Sequence, residues 1–295
     1  MRYLKKFDYA EPSTLNEAVG LLRTYGVDAK LLAGGTDLLV KMKGRALMPK
    51  CLINLKQIRT PDLKAIDRNA EGAISIGCLA TLQAVQESPL IREYASFLSD
   101  TAQKIASPQI RNIATVGGNL CNAAPSADMA PPLIAADAMV TLIGPGGDRS
   151  VGLQDFFLNP GQTVLQEGEI LREVVMPSLP SGARITYQKF TLREAMDIAT
   201  VSVAIRLETK NGCCENVRIV LGAVAPKPMR AVGAEKALIG REASDSVVSE
   251  AARTAAAESA PISDIRASAH YRLEIVEVLV RRAIQSAVWM SHEES

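Results

Sequence analysis

Leu31-Leu-Ala-Gly-Gly-Thr-Asp-Leu38 runs an apolar stretch into a glycine pair, the pattern of a short buried strand that ends in a tight loop. Backbone N–H groups approach a phosphate closely only where no side chain intervenes, and adjacent glycines remove that obstacle. Thr36 adds a hydroxyl donor, and Asp37 a side chain able to brace the loop. From this stretch alone, a glycine pair that merely caps a helix reads equally well. Upstream, Ser13 to Tyr25 predicts a helix, with Ser13 or Thr14 as cap, Glu17 in capping-box spacing, and Ala18, Leu21 and Leu22 on the apolar face. Lys30 to Ala33 and Cys51 to Leu55 predict strands. Residues 1–57 thus form a βαβ-like unit whose glycines lie just past a strand end, where α/β units bind ligands.

Thr115-Val-Gly-Gly-Asn119 repeats this chemistry further along, with a hydroxyl and an amide flanking the glycines. Two such loops on separate units point to one ligand held between them. Neither is a G-x-G-x-x-G fingerprint, and no Gly-Lys-Ser/Thr follows either, which disfavours a dinucleotide-binding Rossmann unit and a P-loop nucleotidase. Around the second loop, Leu63 to Ile66 and Ala73 to Gly77 predict hairpin strands, and Thr81 to Ser88 and Ile91 to Ala106 predict helices. Met139 to Ile143 reads as a strand ending in the turn Gly144 to Gly147. Two prolines and a glycine in Met176 to Gly182 mark a boundary, closing a second, α+β unit over residues 58–177. Beyond it, Ile185 to Phe190, Ala199 to Glu208 and Asn216 to Val224 predict strands, and Ser246 to Ser259 and Ser268 to Trp289 predict helices. Residues 178–290 are therefore expected to form a three-stranded antiparallel sheet with helices. Strands and helices mix without strict alternation, which places the chain in the α+β class.

Composition narrows the function. Among 295 residues, 33 Lys and Arg balance 32 Asp and Glu, so the net charge of +1 supplies no field for nucleic acid or an anionic membrane. An aromatic content of 4% offers no base-stacking platform. The amino terminus has no signal-like apolar run and no long apolar stretch follows, so a cytoplasmic protein is expected. Five scattered cysteines and two histidines, His270 and His292, argue against a metal or iron–sulfur site in this chain. Cys213-Cys214 follows Asn211-Gly212 and is expected in a turn leading into a strand, with the thiols free.

Lys30 to Leu39, Ile110 to Ala136 and Asp264 to Ala283 closely resemble the FAD-binding medium subunits of the molybdenum hydroxylases, the xanthine dehydrogenase and carbon monoxide dehydrogenase group. The likeness spans nearly the whole chain. The stretch Ile-Arg-Asn-Ile-Ala-Thr-Val-Gly-Gly-Asn-Leu-Cys-Asn-Ala-Ala-Pro-Ser-Ala-Asp-Met-Ala-Pro-Pro from Ile110 is its most specific part. This resemblance implies a two-subdomain FAD-binding fold of the vanillyl-alcohol-oxidase/PCMH type, followed by a C-terminal domain that covers the flavin. It implies that Leu31, Leu32, Ala33, Gly34, Gly35, Thr36, Asp37 and Leu38 wrap the pyrophosphate, with Thr115, Val116, Gly117, Gly118 and Asn119 on the other side. Ile105 and Leu171 would contact the cofactor, Asp128 would bind it through its carboxylate, and Lys189 would reach it from the third domain. FAD would be held non-covalently; the molybdenum cofactor and two [2Fe–2S] clusters would sit in a large and a small partner subunit, in a heterotrimer or a dimer of heterotrimers.

Arg193 and Asp197 match a family segment beside the flavin that gates a terminal acceptor, and Tyr187 is either a stacking residue or a core aromatic. A related branch carries a [4Fe–4S] cluster on an inserted four-cysteine loop, which this sequence lacks. A stand-alone flavin oxidase of the same fold is the main alternative; it needs an acid or base beside the flavin, for which Asp197 and Tyr187 are the candidates. A scaffold that has lost its flavin is disfavoured by the presence of both glycine loops, Asp128 and Lys189.

Overall fold

The computed structural model describes residues 3–292. Met1 and Arg2, where the reading of the amino terminus begins, and the side chains of Trp289 and His292 lie outside the described residues. The first unit contains β1 (Asp8–Ala10), α1 (Leu15–Tyr25), β2 (Ala29–Leu32), α2 (Leu38–Lys43) and β3 (Cys51–Asn54). Its three strands are parallel in the order β1-β3-β2, so β3 is central and buried along its whole length. Thr14 caps α1 by accepting from the Glu17 amide at 3.2 Å, while Glu17 returns a carboxylate to the Ser13 amide at 2.7 Å. β1 escaped the sequence reading because three residues are too few for alternation to show.

The second unit carries β4 (Ile66–Arg68), β5 (Ile74–Gly77), α3 (Leu82–Glu87), α4 (Pro89–Tyr94), α5 (Ser96–Gln103), α6 (Pro108–Arg111), α7 (Val116–Cys121) and α8 (Ala130–Ala135). It continues through β6 (Met139–Gly144), β7 (Gly147–Gly152), α9 (Leu153–Phe156), β8 (Phe157–Asn159), β9 (Gln162–Thr163) and β10 (Ile170–Met176). An antiparallel sheet of order β4-β5-β10-β6-β7 holds it together, and β8 pairs with β9 alone. Leu63, expected in a hairpin strand, lies instead in a 3-10 turn over Pro61–Leu63, and the hairpin begins at Ile66. The helix expected over Ile91 to Ala106 is two helices, broken at Ala95 with φ −152° and ψ 47°. α3 stops because Ser88 precedes Pro89 and is held extended at ψ 120°.

The third unit holds β11 (Arg184–Phe190), β12 (Val201–Lys210), β13 (Cys213–Gly222), β14 (Met229–Arg230), α10 (Val232–Leu238), α11 (Asp245–Glu258) and α12 (Ala269–His292). Its antiparallel sheet has four strands in chain order, one more than expected, because the two-residue β14 carries no pattern to read. Asn211 and Gly212, with φ of 52° and 80°, form the tight turn between β12 and β13. Cys213 and Cys214 are thus strand residues facing Lys210 and Thr209, not part of the turn, and both thiols are free.

Strand periodicity explains how β12 is buried on both faces. Val203, Ile205 and Leu207 enter a core with α10, α11 and α12, while Ala204, with Tyr187 and Val220, joins the core of the first two units. Arg206 lies on the second face and spans the junction, its guanidinium 2.6 Å from Asp137.

Candidate functional site

The loop between β2 and α2 is built to leave donors free. Gly35 takes φ +74°, a left-handed conformation that favours glycine, and a Cβ there would come within 2.9 Å of Leu32 Cδ1. Its carbonyl accepts from the Leu39 amide at 3.0 Å. The amides of Gly34, Gly35, Thr36 and Asp37 donate to no acceptor among the described residues. Consecutive amides around a left-handed glycine at a helix start are the makings of an anion-binding concavity. The Asp37 side chain does not brace the loop as expected, since it makes no capping bond.

The second glycine pair works differently. Thr115 caps α7, its Oγ1 accepting from the Gly118 amide at 3.0 Å, so Gly117 and Gly118 are in the first helical turn and not in a loop. Val116 N donates to Ala80 O at 3.0 Å, Gly117 N to Cys78 O at 2.9 Å, and Asn119 N to Thr115 O at 2.9 Å. A Cβ on Gly117 would lie 2.7 Å from the Cβ and carbonyl oxygen of Cys78, so this glycine serves the approach of α7 to the strand end after β5. The two loops nevertheless meet. A Cβ on Gly34 would overlap the carbonyl oxygen of Ile113, and Lys41 Nζ donates to Asn122 Oδ1 at 2.5 Å.

Beside them, the carboxyl end of α5 is closed by cations. Arg111, buried, donates through Nη1 to Gln103 O at 3.2 Å and Ile105 O at 3.0 Å, and Lys189 Nζ donates to Lys104 O at 3.3 Å. Ile105 is 8% exposed, and Ala106 after it takes φ +47°. Lys189 also ion-pairs with Asp128 at 3.1 Å, both side chains buried, and Tyr187 Oη donates to the other Asp128 oxygen at 2.5 Å. Burial pushes the Asp128 carboxyl up, with the Lys189 ammonium and the Tyr187 hydroxyl pulling against it. Burial also raises the Tyr187 hydroxyl well above its ordinary value, reinforced by the Asp128 charge. Asp128 and Lys189, each expected to bind the cofactor, are also partners of one another across the junction of the second and third units. Lys104 and Arg111 belong to the same cluster and were missed, because a lone cation in a helical stretch carries no signal.

Leu171 is 3% exposed within β10, inside the shared core. In the loop after β11, Asp197 accepts from the amides of Leu192 at 3.0 Å, Arg193 at 3.1 Å and Ile198 at 3.0 Å, and pairs with Arg193 at 3.3 Å. Burial raises its carboxyl, but these donors outweigh that and hold it below its ordinary value. Both candidate acid–base groups of a stand-alone oxidase, Tyr187 and Asp197, are therefore engaged internally.

Residues 5–179 match the model of the FAD binding domain in molybdopterin dehydrogenase, and residues 185–287 that of the CO dehydrogenase flavoprotein C-terminal domain. The chain belongs to the FAD-binding molybdopterin dehydrogenase family. It is 34% identical over 282 residues to the carbon monoxide dehydrogenase medium chain of Hydrogenophaga pseudoflava, covering 96% of this chain and 97% of that one. It is 32% identical over 286 residues to the xanthine dehydrogenase FAD-binding subunit of Escherichia coli O157:H7, covering 96% and 97%. Among solved structures, Hydrogenophaga pseudoflava carbon monoxide dehydrogenase lacking the Mo-pyranopterin moiety superposes with a TM-score of 0.94 at 35% identity, covering 98% of this chain and 99% of that one. Quinoline 2-oxidoreductase from Pseudomonas putida 86 does so at 0.91 and 29% identity, covering 98% and 99%. The chain is thus a FAD-binding oxidoreductase subunit of α+β fold. Its residues fit the dinucleotide: four amides at one helix start, without acceptors among the described residues, could meet the charge of a pyrophosphate, and no side chain at Gly34 or Gly35 blocks the approach.

Proposed function

We propose that this chain is the electron outlet of a three-component molybdenum hydroxylase. The amides of Gly34 to Asp37, unpartnered among the described residues and in a loop whose Gly34 abuts the Ile113 backbone, carry this reading of the site. Residues 31–38 bind the pyrophosphate from one side and residues 115–119 from the other, where the Gly118 amide already donates to Thr115 Oγ1, the Asn119 side-chain oxygen accepts from the Met129 amide, and the Asn119 side-chain N–H group is the donor offered by α7. Ile105 and Leu171 pack against the cofactor's apolar parts, while Asp128 and Lys189 set the charge on its far side. The chain divides into units 1–57, 58–177 and 178–290, in keeping with three principal sheets that each stay within one unit.

When bound, non-covalent FAD supplies the conversion of single-electron input into two-electron output. A large subunit with the molybdenum cofactor oxidises the substrate, and a small [2Fe–2S] subunit relays electrons here; the medium-chain names of the relatives support this division. The whole is a heterotrimer or a pair of heterotrimers in the cytoplasm, and no described helix is long and apolar enough to cross a membrane. The acceptor is reached past the Arg193 to Asp197 loop.

Purification from the native host tests the proposal. One FAD per chain, released on denaturation, should accompany one larger polypeptide with molybdenum and one smaller with iron. A chain that stays colourless in excess FAD, or that purifies alone and turns over a substrate, refutes it.

A further inference from the structure

Two cations and one carboxylate meet where β11 crosses the end of α5. Lys189 on β11 donates to the Lys104 carbonyl at 3.3 Å, and Lys104 donates through Nζ to the Tyr187 carbonyl of β11 at 2.8 Å. The bonds are reciprocal: each lysine anchors the other's backbone neighbourhood, so the strand cannot slide along the helix end without losing both. Lys104 Nζ also lies 5.6 Å from the centre of the Tyr187 ring, whose hydroxyl holds Asp128. Asp128 in turn ion-pairs with Lys189. The Lys104 ammonium is part-buried at its bond to Tyr187, and it acts electrostatically on both Asp128 and Lys189.

We propose that Lys104 is a positioning residue of the flavin site: it clamps β11 to the end of α5 so that Lys189 meets Asp128, and its ammonium adds a positive charge beside that pair. The inference rests on the reading above that Asp128 and Lys189 face the cofactor. A cation near a flavin stabilises its reduced, anionic form over the neutral oxidised one, even where, as at Lys104, the residue keeps an exposed part. Burial draws the Lys104 ammonium toward its neutral form, Asp100 opposes this, Lys189 adds to it, and Asp128 opposes it.

The test is the two-electron midpoint potential of FAD bound to the full chain in its native complex, with the FAD dissociation constant measured alongside. Lys104→Gln keeps a donor for the Tyr187 carbonyl and removes the charge. It is expected to weaken binding of reduced relative to oxidised FAD by roughly tenfold, a fall of about 30 mV. Lys104→Arg restores the potential, and Lys189→Met lowers it further.

An unchanged potential and affinity in Lys104→Gln, with Lys189→Met still shifted, overturns the role of Lys104 and leaves the flavin site standing. An unchanged Lys189→Met shows instead that the cluster does not face the cofactor, and both readings fall. Should Lys104→Gln not fold, Asp100→Asn is read in its place. Asp100 is exposed and its charge acts on Lys104, so a rise in potential supports the proposal and an unmoved one overturns it.

Discussion

Gly34 has its α-carbon so close to the Ile113 carbonyl that a single added Cβ would overlap the oxygen. The obstacle is backbone, which cannot swing aside as a side-chain tip does. Gly34→Ala must therefore part the β2–α2 loop from the segment leading into α7, at about 2–3 kcal/mol. Thermal unfolding of the apoprotein should register the loss, and gel-filtered protein should retain little FAD. Wild-type stability and flavin content in this variant would refute the contact.

The glycines of α7 should separate from one another. Gly117→Ala meets Cys78 backbone and Cβ at 2.7 Å and is expected to cost about 2–3 kcal/mol. Gly118→Ala meets only the Thr115 hydroxyl at 3.0 Å and gains helix propensity worth about 1 kcal/mol, so its net effect stays within about 1 kcal/mol. Denaturant midpoints of the two variants decide the point.

Arg111 bonds the carbonyls of Gln103 and Ile105 and reaches Gln83 Oε1 at 3.3 Å. Arg111→Met keeps the stem and removes every donor, leaving those carbonyls unmet at a cost of about 2–3 kcal/mol. Amide exchange should accelerate first around residues 103–107. Protection unaltered there would show that the helix end stands without it.

Asp128 and Lys189 are amenable to a double-mutant cycle. Removing either partner alone strands the other in a buried site, at about 3–5 kcal/mol. The pair Asp128→Asn with Lys189→Met should cost less than the sum of the singles by about 1–3 kcal/mol, and strict additivity in urea unfolding would contradict the ion pair.

Acid stability should depend on Asp264. The Arg266 amide, together with the Arg272 guanidinium at 2.8 Å, holds its carboxyl down at about 2 against an ordinary 3.8. A lowered folded value means the stabilisation is present above pH 3.8 and is lost as pH falls through about 2. Asp264→Asn should be less stable than wild type at pH 6, and the gap should close on acidification. Parallel stability curves for the two proteins would rule out this account.

Much of the site was legible, and what was not shares a cause. The first glycine loop stood out because paired glycines leave backbone N–H groups open to a phosphate; the left-handed φ of +74° at Gly35 is a further reason for glycine that the tertiary structure adds. The second was misread as the same device, since glycine is unfavourable in a helix and nothing local revealed that Cys78 occupies the space beside Gly117. Asp128 and Lys189 were singled out as separate contacts by resemblance. That they are partners depends on chain segments 61 residues apart in sequence.

Local pattern sufficed wherever one element's own residues set its energy: the capping exchange of Ser13, Thr14 and Glu17, the Asn211-Gly212 hairpin, and the long amphipathic helices near the carboxyl end. Family membership was likewise readable from the stretch beginning at Ile110. Tertiary structure alone decided which buried charges meet, which glycines answer to packing, and that β12 is covered on both faces, because each depends on surfaces brought together by the folding of distant segments. Lys104 shows the difference most plainly. Its sequence neighbours make it an ordinary cation at a helix end, and only the passage of β11 brings it to the Tyr187 carbonyl and beside the Asp128–Lys189 pair.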